Sequence, residues 1–371
     1  MDDNGGVCVF RRVFVTALER FTNFGPVSVA SHGMASKWPP SVGRLYCLSI
    51  EGSGAMNAVE PVVDILLATY NGADFLPEQL ESIEAQTYRN WRLLVRDDGS
   101  TDGTLDIVRA FRARHAGRVE IVEDEEQRLG PRGNFDRLLS RSGAPYFMFC
   151  DQDDVWLPNK TEVLLKAALA AEAKAGVDCP VLVHSNLAVV DRELHPLAKS
   201  FWRYQKIDPR RSRWNHLLVQ NVVTGCASIG NAALRDAIQP IPTQAVMHDW
   251  WAALVTALVG RIDWIDDVTV LYRQHGGNDT GAKHWGVRFI IRSIPELFRR
   301  DRLRVAIKAY SRQASLLCSR FGERLDPACR AGLCAFADLP GKGMAERRLT
   351  LFQYGIWKTG WIRNLALLVR I

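Results

Sequence analysis

Three carboxylates, Asp151, Asp153 and Asp154, follow directly on a short apolar run in YFMFCDQDDVWLPNK, residues 146–160. Acids crowded together repel one another and are costly to keep ionised unless a cation or a set of donors compensates them. Hard oxygen ligands of this kind suit Mg²⁺ or Mn²⁺, and Mg²⁺ is commonly held by one or two carboxylates with substrate phosphates completing its octahedron. The competing reading is a helix cap by Asp154 or a neighbour ahead of Pro158, which has the look of a first-turn proline. One cap needs one carboxylate, and here there are three. Further on, LYRQHGGN brings two more candidates. His275 is a candidate metal ligand through a neutral imidazole, and Arg273 a candidate for holding a phosphate oxygen bidentately.

These groups need elements that carry them to one rim. Residues 146–150 have the length and aromatic content of a buried parallel strand, so the acids fall at its carboxyl end, where open α/β sheets bind their ligands. Upstream, strands are expected at 62–69, 91–96 and 119–122, with helices from about 75 to 86, 104 to 115 and into 140. This succession of right-handed βαβ units predicts an α/β fold with a parallel, doubly wound sheet. After a helix at 158–175 the rhythm loosens. A strand at 181–184, a helix at 214–220, an extended segment at 222–229, a helix at 250–259 and two short strands at 262–265 and 268–272 complete this part. Beyond Gly286 the pattern is helical, with candidates at 287–299, 302–320, 327–336 and 361–371.

Composition bounds the class. At 371 residues, 47% hydrophobic and 24% charged, the chain is an ordinary globular one of about two domains, or of one large α/β domain with appendages. No uncharged apolar run is long enough to span a membrane, and the acidic start MDDNGG argues against a signal peptide. A cytoplasmic chain is expected. Its eight cysteines show no CxxC spacing and read as reduced, mostly buried thiols rather than a disulfide framework or a zinc site. The net charge of +6 is concentrated late, with 18 Lys and Arg against 7 Asp and Glu from Gly276 onward. Such a region suits docking on an anionic membrane face at the inner side of the cytoplasmic membrane, or simply a solvated helical face. Residues 1–57 are rich in breakers and predict a poorly structured extension, with Met56 a candidate natural start.

Three loops at the ends of successive candidate strands, LATYNG at 67–72, RDDGSTD at 96–102 and CDQDD at 150–154, together resemble the nucleotide-sugar-binding half of inverting glycosyltransferases of family 2. The resemblance covers residues 62–283 and implies a GT-A fold, a Rossmann-like, mostly parallel sheet flanked by helices, at 58–283 with a basic helical extension at 284–371. It implies that Thr69, Tyr70 and Asn71 contact the nucleotide and that Asp98 accepts from the N3 imino group of uracil or thymine. The plainer role for Asp98 is a turn residue bonding its own backbone. Asp151 and Asp153 would form the family's DxD pair on the metal and diphosphate. Inverting transfer needs a general base beside the acceptor hydroxyl, and Asp249 in HDWW resembles that base. A helix N-cap is the alternative, and the two roles are compatible. Trp250 and Trp251 offer flat apolar surfaces of the kind sugars pack against. Gly225 and Cys226, in QNVVTGC, resemble the acceptor-side segment, where small residues let backbone approach a sugar.

The combination MFCDQDDVW, QNVVTGC, HDWW and LYRQHGGN resembles a bacterial rhamnosyltransferase-like subgroup. Its donor would be dTDP-L-rhamnose and its acceptor a growing lipid-linked cell-surface polysaccharide. A UDP-sugar donor and a non-catalytic nucleotide-sugar-binding protein are the alternatives. A nucleotidyltransferase would need a Lys-bearing phosphate loop that ATYNGADFL lacks. No nucleic-acid-binding module accompanies the basic tail.

Overall fold

Val63, Ile65, Leu66 and Leu67 leave β1 (Val63–Thr69) no polar face to offer water, so the strand is buried on both sides, as a central parallel strand must be. In the computed structural model, which describes residues 60–126, 128–276 and 300–371, β1 pairs in parallel with β2 (Trp91–Asp97) and β4 (Tyr146–Asp151). β3 (Val119–Ile121) pairs in parallel with β2. The connecting helices are α1 (Leu76–Glu84), α2 (Thr104–Arg114) and α3 (Gly130–Arg141). All four strands therefore point their carboxyl ends to one edge, as the sequence predicts.

The second half of the sheet is mixed. After the two-residue β5 (Val155–Trp156) and α4 (Lys160–Ala175) come β6 (Val181–Val190) and β7 (Pro196–Ala198). Short helices α5 (Phe201–Gln205) and α6 (Trp214–Leu217) and a 3₁₀ turn at Gly225–Ala227 lead to β8 (Ser228–Asn231), α7 (Ala232–Ile238), α8 (His248–Val259) and β9 (Arg261–Arg273). The sheet order is β3-β2-β1-β4-β8-β6-β9-β5, with β7 paired to β6. β8 runs antiparallel to both β4 and β6, while β6 and β9 are parallel. The two strands expected at 262–265 and 268–272 are one strand with a bulge: Ser185 pairs Ile265, Asn186 pairs Val268, and Asp266 and Asp267 are extruded between them.

Apolar on almost every side, α8 packs into a core that also holds Phe135, Phe149, Ile307, Leu317, Phe336, Leu351 and Leu367. The later helices are α9 (Arg300–Phe321), α10 (Pro327–Ala337), α11 (Met344–Gln353) and α12 (Trp361–Arg370). Val62–Ile371 form one compact unit. The expected helix at 287–299, the 283/284 boundary and the segment 1–57 lie outside the described residues. One expectation is corrected: Cys318 and Cys334 form a disulfide, because α9 and α10 pack against each other and bring positions 16 apart into register. Cys150, Cys179, Cys226 and Cys329 are free thiols.

Candidate active site

The carboxyl ends of β1 and β4, the start of α3, the 3₁₀ turn and the first turn of α8 enclose a cleft of about 1050 Å³. Thr69, Tyr70, Asp98, Asp151, Asp153, Gly225, Asp249 and Trp250 all line it. Side chains from positions 69 to 250 thus meet in one space, because strands aligned in parallel end together.

The nucleotide-side loops are cross-tied. Gln152 reaches back to residue 70, where its Oε1 accepts from the Tyr70 N–H at 2.8 Å and its Nε2 donates to the Tyr70 carbonyl at 2.9 Å. A side chain on Gly72 would collide with Gln152, its Cβ falling 2.2 Å from Oε1. Asn71, at φ 46°, accepts from the Thr101 N–H at 2.8 Å. Asp97 makes the Asx turn expected of its neighbour, accepting from the Gly99 and Ser100 N–H groups at 3.1 and 2.7 Å. It also accepts from Thr69 Oγ1 at 2.9 Å, which leaves Asp98 to a different task. Asp98 is buried and accepts from Leu129 N, Gly130 N and Arg96 Nη1 at 2.9, 2.8 and 3.0 Å, fastening the start of α3 to the cleft wall.

On the opposite wall, Asp249 is the second residue of α8, and the capping position belongs to Met247. Its Oδ2 accepts from the Gly225 N–H at 3.1 Å. Burial pushes the carboxyl up to about 6, against the pull of that N–H. Gly225 permits the approach: a Cβ there would fall 2.8 Å from His248 Nε2 and 3.2 Å from the Asp249 Cβ. Trp250 donates its indole N–H to the Leu217 carbonyl at 2.6 Å and turns its ring to the cleft. Trp251, expected beside it, is fully buried and bonds the Ile238 carbonyl, because consecutive helical residues point about 100° apart. Cys226 is likewise buried, below the cleft rather than on its acceptor side, since the residue after Gly225 turns inward toward Asp151 and Asp154.

Asp151 is pushed up to about 7, first by burial and then by the negative charges of Asp153 and Asp249, with buried Lys160 pulling the other way. Lys160, which nothing in its sequence context singles out, stands over the Trp156 ring at 3.1 Å and donates to the Cys226 carbonyl. A rim charged against itself fits a divalent cation, and the carboxylate oxygens of Asp151 and Asp153 are donors of the type Mg²⁺ or Mn²⁺ takes. Asp151, Asp154 and Cys226 bring donor atoms within 4.8 Å of one another at this rim. Burial raises the Cys226 thiol far above its ordinary range, so this third member stays protonated and suits a hard cation poorly.

Two expectations are corrected at this rim. Asp151, Asp153 and His275 do not close to ligand spacing as a set of three among the described residues, although His275 Nε2 lies 2.7 Å from Asp153 Oδ2, with its ring stacked on Phe75 at 4.5 Å. Arg273 does not line the cleft. Its guanidinium donates to the Asp153 and Arg192 carbonyls at 2.9 and 2.5 Å and pairs with Glu78, while its N–H donates to Asp154 Oδ1 at 3.1 Å. It clamps the acidic loop from behind.

Comparison with known proteins agrees with this geometry. Residues 64–237 match the model of Glycosyl transferase family 2. The chain is 28% identical over 233 residues to the dTDP-rhamnosyl transferase RfbG of Shigella flexneri, covering 58% of this chain and 74% of that one. It is 32% identical over 108 residues to WfgD of Escherichia coli, a UDP-Glc:α-D-GlcNAc-diphosphoundecaprenol β-1,3-glucosyltransferase, covering 29% and 41%. Across three further curated relatives it spans 36%, 66% and 42% of their lengths. In fold it is similar to residues 1–349 of S. aureus TarS, solved with UDP-GlcNAc, at a TM-score of 0.51 and 17% identity over 79% of this chain and 75% of that one. The family 2 match thus holds for residues 64–237, the stretch that carries the parallel half of the sheet. Asp249, Arg273 and His275 lie beyond the matched residues.

Proposed function

We propose that this chain is an inverting, metal-dependent glycosyltransferase that moves a sugar, L-rhamnose from dTDP-rhamnose, to a growing lipid-linked cell-surface polysaccharide at the cytoplasmic membrane face. The observation that carries the reading is Asp249: a buried carboxyl held by backbone N–H groups, that of Gly225 among them, and raised to about 6 by burial, in the cleft that Asp151 and Asp153 also line. Such a group is ionised at neutral pH yet basic enough to take a proton.

Asp249 accepts the proton of the acceptor hydroxyl. The freed oxygen attacks the anomeric carbon from the face opposite the diphosphate, the new C–O bond forms, and the old one breaks with its electron pair leaving on the phosphate oxygen. Trp250 supplies a flat wall for the sugar, and Gly225 holds the base in orientation. Thr69, Tyr70 and Asn71 stand where a nucleotide would enter, with Asp98 stiffening that wall. Asp151 and Asp153 would hold the divalent cation, which when bound neutralises charge on a departing diphosphate.

The rhamnose donor follows the RfbG likeness, which extends over 74% of that protein against 41% for the UDP-glucose-using WfgD. Thermal-shift screening of the purified chain against dTDP-rhamnose, UDP-glucose and UDP-GlcNAc with Mn²⁺ tests it, since a ligand of the folded state appears as stabilisation. Stabilisation by dTDP-rhamnose above the others is expected. A response to UDP-sugars alone overturns the donor, and no response to any nucleotide sugar overturns the reading.

A further inference from the structure

Twelve large apolar side chains stand exposed among the described residues, and six of them fall between Met344 and Val369. Three, Trp361, Leu365 and Val369, recur every fourth residue along α12 and so form one outward stripe, 75%, 54% and 54% exposed. The other side of the same helix sends Arg363, Ala366 and Leu367 into the cleft wall. Next to it, α11 exposes Leu349 and Phe352, and its Arg347 and Arg348 donate to the Ile371 and Leu368 carbonyls at 3.0 Å each, tying the two helices together. Residues 339–371 contain six Lys and Arg, of which Arg363 turns to the cleft, and a single acid, Glu346.

We infer that the α11–α12 face docks on an anionic lipid surface and thereby brings the cleft to the bilayer. An apolar stripe headed by a tryptophan and set among basic residues is what an interfacial helix presents to lipid headgroups and acyl boundary. At 10 residues α12 is far short of the roughly 20 needed to cross a bilayer, so it lies in the interface. A second copy fits the face less well, since an isologous contact would set the same positive charge against itself. One helix then serves two ends: its outer stripe enters lipid while its inner side walls the cleft, so a lipid-linked acceptor need not leave the membrane to reach Asp249. This inference extends the reading of a lipid-linked acceptor, but its test does not depend on transfer.

The test is co-sedimentation of the full chain with vesicles of phosphatidylglycerol or of phosphatidylcholine. Pelleting with phosphatidylglycerol is expected, weakening as salt rises, because exposed charges are screened. The triple variant Trp361→Ser, Leu365→Ser, Val369→Ser should bind at least about tenfold more weakly, with circular dichroism and melting temperature retained. Asp249→Asn should pellet as the unaltered chain does, so a failed transfer reaction leaves this result standing. Equal pelleting of the triple variant, or no preference for anionic vesicles, overturns the inference. A dimer that the triple variant dissolves, without vesicle binding, also overturns it and gives the face to a second copy.

Discussion

The Gly225 N–H donates to Asp249 Oδ2 at 3.1 Å, joining a 3₁₀ turn to the first turn of α8 across 24 positions of sequence. That bond helps to fix a desolvated carboxyl that lines the cleft. It also explains why a glycine is needed, since any Cβ at 225 would meet the neighbouring imidazole and Asp249 itself.

Asp249→Asn keeps an oxygen for the Gly225 N–H and removes the basic group. Release of nucleoside diphosphate in the presence of acceptor should fall by about 10²–10⁴-fold, while stabilisation by donor and Mn²⁺ is retained. Unchanged turnover would remove Asp249 from the chemistry.

Gly225→Ala forces its methyl within 2.8 Å of His248 Nε2, whose ring is wedged against Phe135 and Phe149 at 4.0 and 4.6 Å. The imidazole has no room to yield. A loss of about 1–3 kcal/mol is expected from overpacking, read as a lower urea midpoint, with activity falling further than stability because Asp249 is displaced.

Arg273→Ala deletes the clamp behind the acidic loop and leaves Glu78 without its guanidinium. Glu78 keeps 23% of its side chain exposed, so water takes over part of the lost pairing and a cost of about 1–3 kcal/mol is expected. Denaturant unfolding should show that loss, and Mn²⁺ should stabilise the variant less than the unaltered chain, because Asp153 is no longer held through its carbonyl.

The contribution of the buried acids to stability should fall as pH rises through the region where they ionise, against the opposite contribution of His184 and His248, whose burial lowers both to about 3. Asp151 at about 7 and Asp249 at about 6 stand above the ordinary aspartate value of 3.8. Between the unfolded and folded values the folded chain binds more protons at these acids, so their contribution to unfolding free energy declines with rising pH. Without metal, replacing Asp151 by Asn should remove a downward component of the melting-temperature profile between about pH 4 and about pH 7, so that the variant gains on the unaltered chain as pH rises, and Mn²⁺ at pH 7 should stabilise the unaltered chain more than the variant. Transfer should run the other way and fade below about pH 6 as the base is protonated. Parallel melting curves for the two chains would contradict the assignment to Asp151.

The sequence alone was enough for the parallel half of the sheet. Residues 63–69 and 146–151 are largely apolar on both faces, and 91–97 carries an unbroken apolar run, Leu93–Val95, between two arginines, and such runs are a local pattern that any window of sequence displays. The three turn clusters behind them follow from strand direction, so Thr69, Asp98, Asp151 and Asp153 were legible as neighbours. What the tertiary structure decided is what each side chain does once there. Asp97 took the turn and Asp98 the brace. Arg273 went to hold a loop rather than line the cleft, Trp251 turned inward, and Cys318 found Cys334. These choices depend on partners such as Glu78, Leu129, Ile238 and α10, which lie tens to hundreds of positions away, and no local periodicity carries the direction of a side chain toward a neighbour that only the finished packing supplies.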